Sequence, residues 1–137
     1  MELRDVMTPN PTICRADTTA RDAAALMRDQ DIGDVLVQDD GGQLGIVTDR
    51  DIVTRAVAVG RDPGDVRLGE ICTTNVKTVD VDTPVDEVIR LMSDASVRRI
   101  PVCEGDRPVG IVALGDLARD RDPSSLLGDI SAAPPNN

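Results

Sequence analysis

A chain of 137 residues, 40% apolar and 29% charged, can bury a core as one compact domain or as two small, mutually dependent halves. Its formal charge of −10 argues against general nucleic-acid binding, which needs a basic face, and equally disfavours docking to an anionic membrane. The absence of histidine excludes Cys–His and Ser–His–Asp catalysis within the chain, and the absence of Phe, Tyr and Trp leaves any bound base to lie between aliphatic side chains.

The opening MELRDVM has no signal-peptide core, and no uncharged stretch approaches the length of a membrane span, so a cytoplasmic protein is expected. PTIC (11–14) reads as a short extended piece. A helix follows, with Ala20, Ala23, Ala24 and Met27 at the i, i+3, i+4, i+7 spacing of a buried stripe. Two short apolar strands, VLV (35–37) and LGIV (44–47), flank the hairpin-like QDDGGQ (38–43). Asp39 and Asp40 beside Gly41 and Gly42 lack the ligand spacing of a calcium loop, and a turn is the better reading. A second helix begins near Asp49, runs through Ile52, Val53, Ala56 and Val57, and stops at Gly60.

RDPGDVRLGE (61–70) reads as a connector, after which the same order returns. VKTV (76–79) is the extended piece, and Thr83-Pro84-Val85-Asp86 predicts a helix capped by Thr83 with proline in its first turn. Val85, Val88, Ile89 and Met92 form the stripe, IPV (100–102) and VGIV (109–112) flank CEGDRP, and a last helix starts near Leu114. The tail SAAPPNN (131–137) has the composition of a frayed terminus. Sliding the chain by 65 aligns 6–52 with 71–117 without a gap and with 12 identities in 47 positions, which marks a duplication. The expected organisation is repeat 1 over 1–60, connector 61–70, repeat 2 over 71–122 and tail 123–137. The fold class is α/β, built from two β-α-β-β-α repeats too short to bury much surface separately. Cys14, Cys72 and Cys103 are odd in number and form no CxxC pair, so they read as small buried hydrophobes. Neither a metal site nor a catalytic residue is expected.

With these motifs in place the chain resembles a tandem pair of CBS domains, the Bateman module. The resemblance rests on VMTPNP (6–11), DTTARDAAALM (17–27), IGDVLV (32–37) and GIVTDRDI (45–52), then on DTPVDEVIRLM (82–92), VRRIPV (97–102) and GIVALGDL (110–117). RDVM and DRDIVTRAVAVGRDP carry a closer likeness to small stand-alone bacterial members of the hypoxic-response type. The resemblance implies repeats packed about a pseudo-twofold axis, with clefts that hold adenosine-containing ligands, and pairs that dimerise into a flat disc. It also implies a regulatory role, sensing AMP, ADP, ATP or S-adenosylmethionine without chemistry of its own.

GIVTDRD (45–51) supports two readings. In one, Thr48 caps a helix and Asp51, at the third helical position, returns a bond to the cap backbone. In the other, the Asp51 carboxylate accepts from both hydroxyls of a ribose cis-diol and Thr48 adds a bond. The second copy, GIVALGD (110–116), keeps Asp116 but puts Ala113 where Thr48 stands. A lost cap costs about 1 kcal/mol, so the difference favours a ligand site kept in one copy and incomplete in the other.

The resemblance also assigns Lys77, Thr78, Val79 and Val97 to the adenine, with Ile46 covering a face of the base. Arg98 and Arg99 become candidates for phosphates because guanidinium suits bidentate contact, with Arg50 a further candidate beside the ribose motif. The plain alternative for each is a solvated charge or a surface ion pair. Copy one has Gly33-Asp34 where copy two has Arg98-Arg99, so one functional nucleotide site per chain is expected. The resulting expectation is an adenine-nucleotide sensor that dimerises and signals to a partner protein, needing no cofactor. The alternative is an interaction or structural protein that keeps the fold without the ligand.

Overall fold

The computed structural model describes residues 1–121; the tail 123–137 lies outside the described residues. Its elements are α1 (Leu3–Val6), β1 (Thr8–Pro9), β2 (Ile13–Arg15), α2 (Ala20–Gln30), β3 (Asp34–Gln38), β4 (Leu44–Thr48) and α3 (Asp49–Ile52). The helix of α3 continues as a π-helical turn, Val53–Val57, and a 3-10 turn follows at Pro63–Asp65. Then come α4 (Leu68–Ile71), β5 (Val79–Asp80), α5 (Val85–Ala95), β6 (Arg99–Glu104), β7 (Arg107–Ala113) and α6 (Leu114–Arg121). The doubled β-α-β-β-α order is therefore present, preceded in each copy by a one-turn helix.

The chain divides into two compact units whose boundaries differ from the bounds of the sequence repeat. One unit is Thr12–Val76; the other joins Met1–Pro11 to the described residues from Lys77. In the first, β2 runs parallel to β3 and β3 antiparallel to β4. In the second, β5 runs parallel to β6, β6 antiparallel to β7, and β1 closes the far edge by pairing Thr8 with Ile111. The corresponding contact in the Thr12–Val76 unit is a bridge between Ile46 and Thr73, 65 residues after Thr8. Each repeat thus gives its leading segment to the unit built on the other repeat.

Packing explains why these segments stay put. Leu3 and Val6 from α1 lie in the core of one unit with Val81, Val85, Val88, Met92, Ile100, Val102 and Val112. Leu68 and Ile71 from α4 lie in the other, with Ala20, Ala23, Met27, Val35, Val37 and Val47. Leu3 and Leu68 have no exposed surface, and burying a leucine side chain stabilises by about 1.5–3 kcal/mol. Val66 is wholly buried too, so the stretch read as a connector supplies core side chains.

The backbone repeats at the same interval. Positive φ occurs at Asn10 and Asn75 and at Asp31 and Ser96, the latter two ending α2 and α5 in the left-handed conformation. The helical stripes are as expected: Ala20, Ala23 and Met27 are buried on α2, and Val85, Val88 and Met92 on α5. The hairpin after β3 is closed by Asp39, whose Oδ1 accepts the Gln43 N–H at 2.8 Å, and Gly42 takes φ +82°.

One local expectation is corrected. Thr83 is not the cap of α5: Pro84 occupies that position with ψ 142°, and its carbonyl accepts the Glu87 and Val88 N–H groups. The α2 counterpart is Thr19, whose hydroxyl does accept from Asp22 N–H. The second helix runs through Ile52, Val53, Ala56 and Val57 as expected, and these residues divide in burial. Ile52 and Ala56 are buried, whereas Val53 and Val57 stay more than half exposed. The i→i+5 bond from Ala58 N–H to the Val53 carbonyl widens the turn there, and Gly60 at φ +83° ends it.

Both glycines of the GIV motifs sit where an exchanged segment comes closest. A Cβ on Gly45 would lie 3.0 Å from the Thr73 carbonyl oxygen and 3.1 Å from Cys72 Sγ. A Cβ on Gly110 would meet the Thr8 carbonyl oxygen at 3.0 Å. Because the obstacle is backbone, Gly45→Ala is expected to lower the unfolding free energy by about 1–3 kcal/mol in chemical denaturation. Gly41→Ala in the open hairpin is expected to change it by less than about 0.5 kcal/mol. Equal stability of G45A and the wild type would contradict the packing account.

Candidate functional site

At the C-terminal end of β4 the sequence places four candidate residues close together. Leu44, Ile46 and Thr48 alternate with the buried Gly45 and Val47, so they share the sheet face that points away from the helical core. Ile46 is half-buried and bridged on both backbone sides, its N–H to the Thr73 carbonyl at 3.1 Å and its carbonyl to the Thr73 N–H at 2.9 Å. Thr48 ends the strand and is the N-cap of α3, with extended φ −106° and ψ 166°. Its hydroxyl accepts the Asp51 N–H at 3.2 Å, and its own N–H donates to Asp51 Oδ2 at 2.9 Å.

The capping box read from T-x-x-D is therefore formed. It leaves the carboxylate with further capacity, because a carboxylate offers about four acceptor positions. Oδ1 faces the Arg55 Nε at 3.8 Å, an ion-pair rather than a hydrogen-bond distance. The Asp51 side chain retains 16% of its surface exposed, so the group is held but reachable. Arg50, exposed at the second helical position, donates its N–H to Asp49 Oδ1 at 2.8 Å.

Arg55 was missing from the sequence candidates. The signal was present: it stands four residues after Asp51, where a helix brings side chains together. Its NH1 also donates to the Ile71 carbonyl at 2.8 Å, tying the helix to the end of α4.

The remaining candidates belong to the other unit. Lys77 and Thr78 are exposed in the approach to β5, and Val79 is half-buried in that strand against the core. Thr78 and Val79 line a groove of about 390 Å³ whose charged walls are Asp80, Glu87, Arg90 and Asp94. Val97 packs partly into the core, its N–H bonded to the Met92 carbonyl at 3.0 Å. Arg98 is exposed and its carbonyl accepts the Leu114 N–H at 2.9 Å; Arg99 opens β6 opposite Ala113. The matching bond in the Thr12–Val76 unit runs from Asp49 N–H to the Gly33 carbonyl at 3.0 Å.

The three thiols form no disulfide. Burial pushes each of them above its ordinary value, which keeps them protonated and poorly nucleophilic near neutral pH. Among the described residues no three His, Cys, Asp or Glu side chains cluster so as to hold a metal ion, and no helix is long and apolar enough to cross a membrane.

Fold and site together define a duplicated α/β module. The description of the CBS domain matches residues 3–58 and again 68–121, and the chain belongs to that family. It is 38% identical over 130 residues to Hypoxic response protein 1 of Mycobacterium tuberculosis, covering 94% of this chain and 91% of the relative. The crystal structure of Hypoxic Response Protein I with two coordinated zinc ions matches with a TM-score of 0.73 and 37% identity over 87% of this chain and 98% of that one. The CBS domain pair of protein MJ0100, in complex with 5′-methylthioadenosine and S-adenosyl-L-methionine, matches with a TM-score of 0.74 and 30% identity over 88% of this chain and 99% of that one.

The cap itself is testable. Thr48→Ala is expected to lower stability by about 1 kcal/mol in thermal or urea unfolding, and Ala113→Thr to raise it by a similar amount. No loss in T48A would show that the Thr48 hydroxyl does not carry the helix start.

Proposed function

We propose that this protein is a regulatory module that binds an adenine nucleotide (AMP, ADP or ATP), changes conformation and passes that change to a partner protein. It acts in the cytoplasm as a homodimer and catalyses no reaction of its own. The observation that carries the reading is the Asp51 carboxylate: fixed through Oδ2 by the Thr48 N–H, it keeps Oδ1 outside hydrogen-bond distance of Arg55 and its side chain partly exposed. That is the chemistry a ribose cis-diol requires, two acceptor oxygens held in one plane. Family membership supports the ligand class, since the MJ0100 pair is solved with two adenosine-containing molecules.

The remaining contacts follow the resemblance. Ile46 covers a face of the base, and Lys77, Thr78, Val79 and Val97 take the adenine. Arg98 and Arg99, with Arg50 as a further cation, take the phosphates. Cation contacts matter because the chain carries a net charge of −10, which repels a nucleotide unless positive groups are concentrated where its phosphates lie. The exposed Val53, Val57 and Val59 support self-association, because apolar side chains so exposed gain by burial against a second copy.

Calorimetric titration with AMP, ADP, ATP, NAD and S-adenosylmethionine tests the reading. An adenine nucleotide is expected to bind and, at about 100 times its dissociation constant, to add roughly 2.7 kcal/mol of stability. Asp51→Ala is expected to weaken that binding at least about tenfold, the order associated with hydrogen bonds to a charged group. Undiminished affinity in D51A would refute the ribose contact. Silence with every ligand would favour a CBS-fold interaction protein without a nucleotide.

A further inference from the structure

Arg55 holds two partners at once. It sits one turn beyond Asp51, in the π-helical segment Val53–Val57. NH1 donates to the carbonyl of Ile71, the last residue of α4, at 2.8 Å in a part-buried contact. Nε lies 3.8 Å from Asp51 Oδ1. A guanidinium is planar and rigid, so anchoring one of its nitrogens fixes where the others lie. Asp51 is therefore bounded on both sides, by the Thr48 N–H at Oδ2 and by Arg55 beside Oδ1. Turning the carboxylate out of this plane breaks the first contact or lengthens the second.

We propose that Arg55 is a positioning residue: it sets the plane of the Asp51 carboxylate and thereby makes the site select ribose over deoxyribose. The proposal rests on the nucleotide reading given above. A second observation agrees. Across the 65-residue repeat the carboxylate recurs as Asp116, while Thr48 becomes Ala113 and Arg55 becomes Asp120. Both residue types change in the second copy while the acid is kept, which is the pattern expected if Thr48 and Arg55 serve the same carboxylate. The Ile71 contact adds a consequence. Because α4 is the segment given to this unit by the following repeat, the orientation of Asp51 depends on that segment being seated.

The test compares wild type with Arg55→Met by calorimetry, titrating AMP, ADP and ATP each beside its 2′-deoxy counterpart. Wild type is expected to bind the ribose form about tenfold tighter than the deoxy form, the scale of one hydrogen bond to a charged acceptor. R55M is expected to lose about tenfold on the ribose form and less than about twofold on the deoxy form, so that the preference collapses. Equal weakening of both forms, or weakening of neither, would overturn the proposal, since a residue that merely braces the fold does not distinguish the two sugars. A wild type that binds both sugars equally overturns it as well, while a wild type that binds none of the nucleotides removes the adenine reading itself. If thermal unfolding shows R55M to be unfolded, Arg55→Gln is read by the same criteria, because its amide can still donate to the Ile71 carbonyl.

Discussion

The structure depends on two places where a backbone must come close to a strand. At Gly45 and Gly110 the chain presents no side chain, and the Thr73 and Thr8 carbonyl oxygens stand where a methyl group would press against them. Those approaches seat α4 and α1, and through them Leu68, Ile71, Leu3 and Val6 enter two separate cores. A unit of this size buries too little on its own repeat to spare four large side chains. The exchange of leading segments is therefore part of how each unit reaches stability, and the GIV motif is read first as a packing requirement.

The candidate site grows directly from that constraint. Ile46, next to Gly45, is clamped on both sides by Thr73. Two residues on, Thr48 leaves the strand and starts a helix with its capping box, so the sheet fixes where the Asp51 carboxylate begins. Arg55 then links that helix to the Ile71 carbonyl. Strand, helix and exchanged segment thus converge on one acidic group through contacts that each use a backbone amide or carbonyl. Capping and ligand binding are compatible uses of the same carboxylate, because Oδ2 serves the backbone and Oδ1 faces outward from that bond.

Much of this was legible in the residues. The apolar stripes of α2 and α5, the hairpins and the capping box follow from spacing alone, because each is decided by neighbours within about four positions. What the sequence concealed was decided by distant contacts. The two-residue strand β1 has no periodicity to detect, and its partner lies at Ile111. The π turn after α3 gives no pattern either, and it leaves Val53 and Val57 exposed beside the buried Ile52 and Ala56. At Thr83 the error was local: a proline at the next position took the cap role through its carbonyl, which a threonine rule does not foresee. Arg55 was readable from its spacing to Asp51, but its second anchor at Ile71 required the folded chain.

The central claim is that the carboxyl of Asp51 grips the sugar of a bound adenine nucleotide. A crystal structure of the protein grown with AMP or ATP tests it most directly. The account predicts both ribose hydroxyls within about 2.5–3.0 Å of the Asp51 oxygens, with the Thr48 capping bond retained. Density for the nucleotide elsewhere, with Asp51 touching only Thr48 and Arg55, would contradict it.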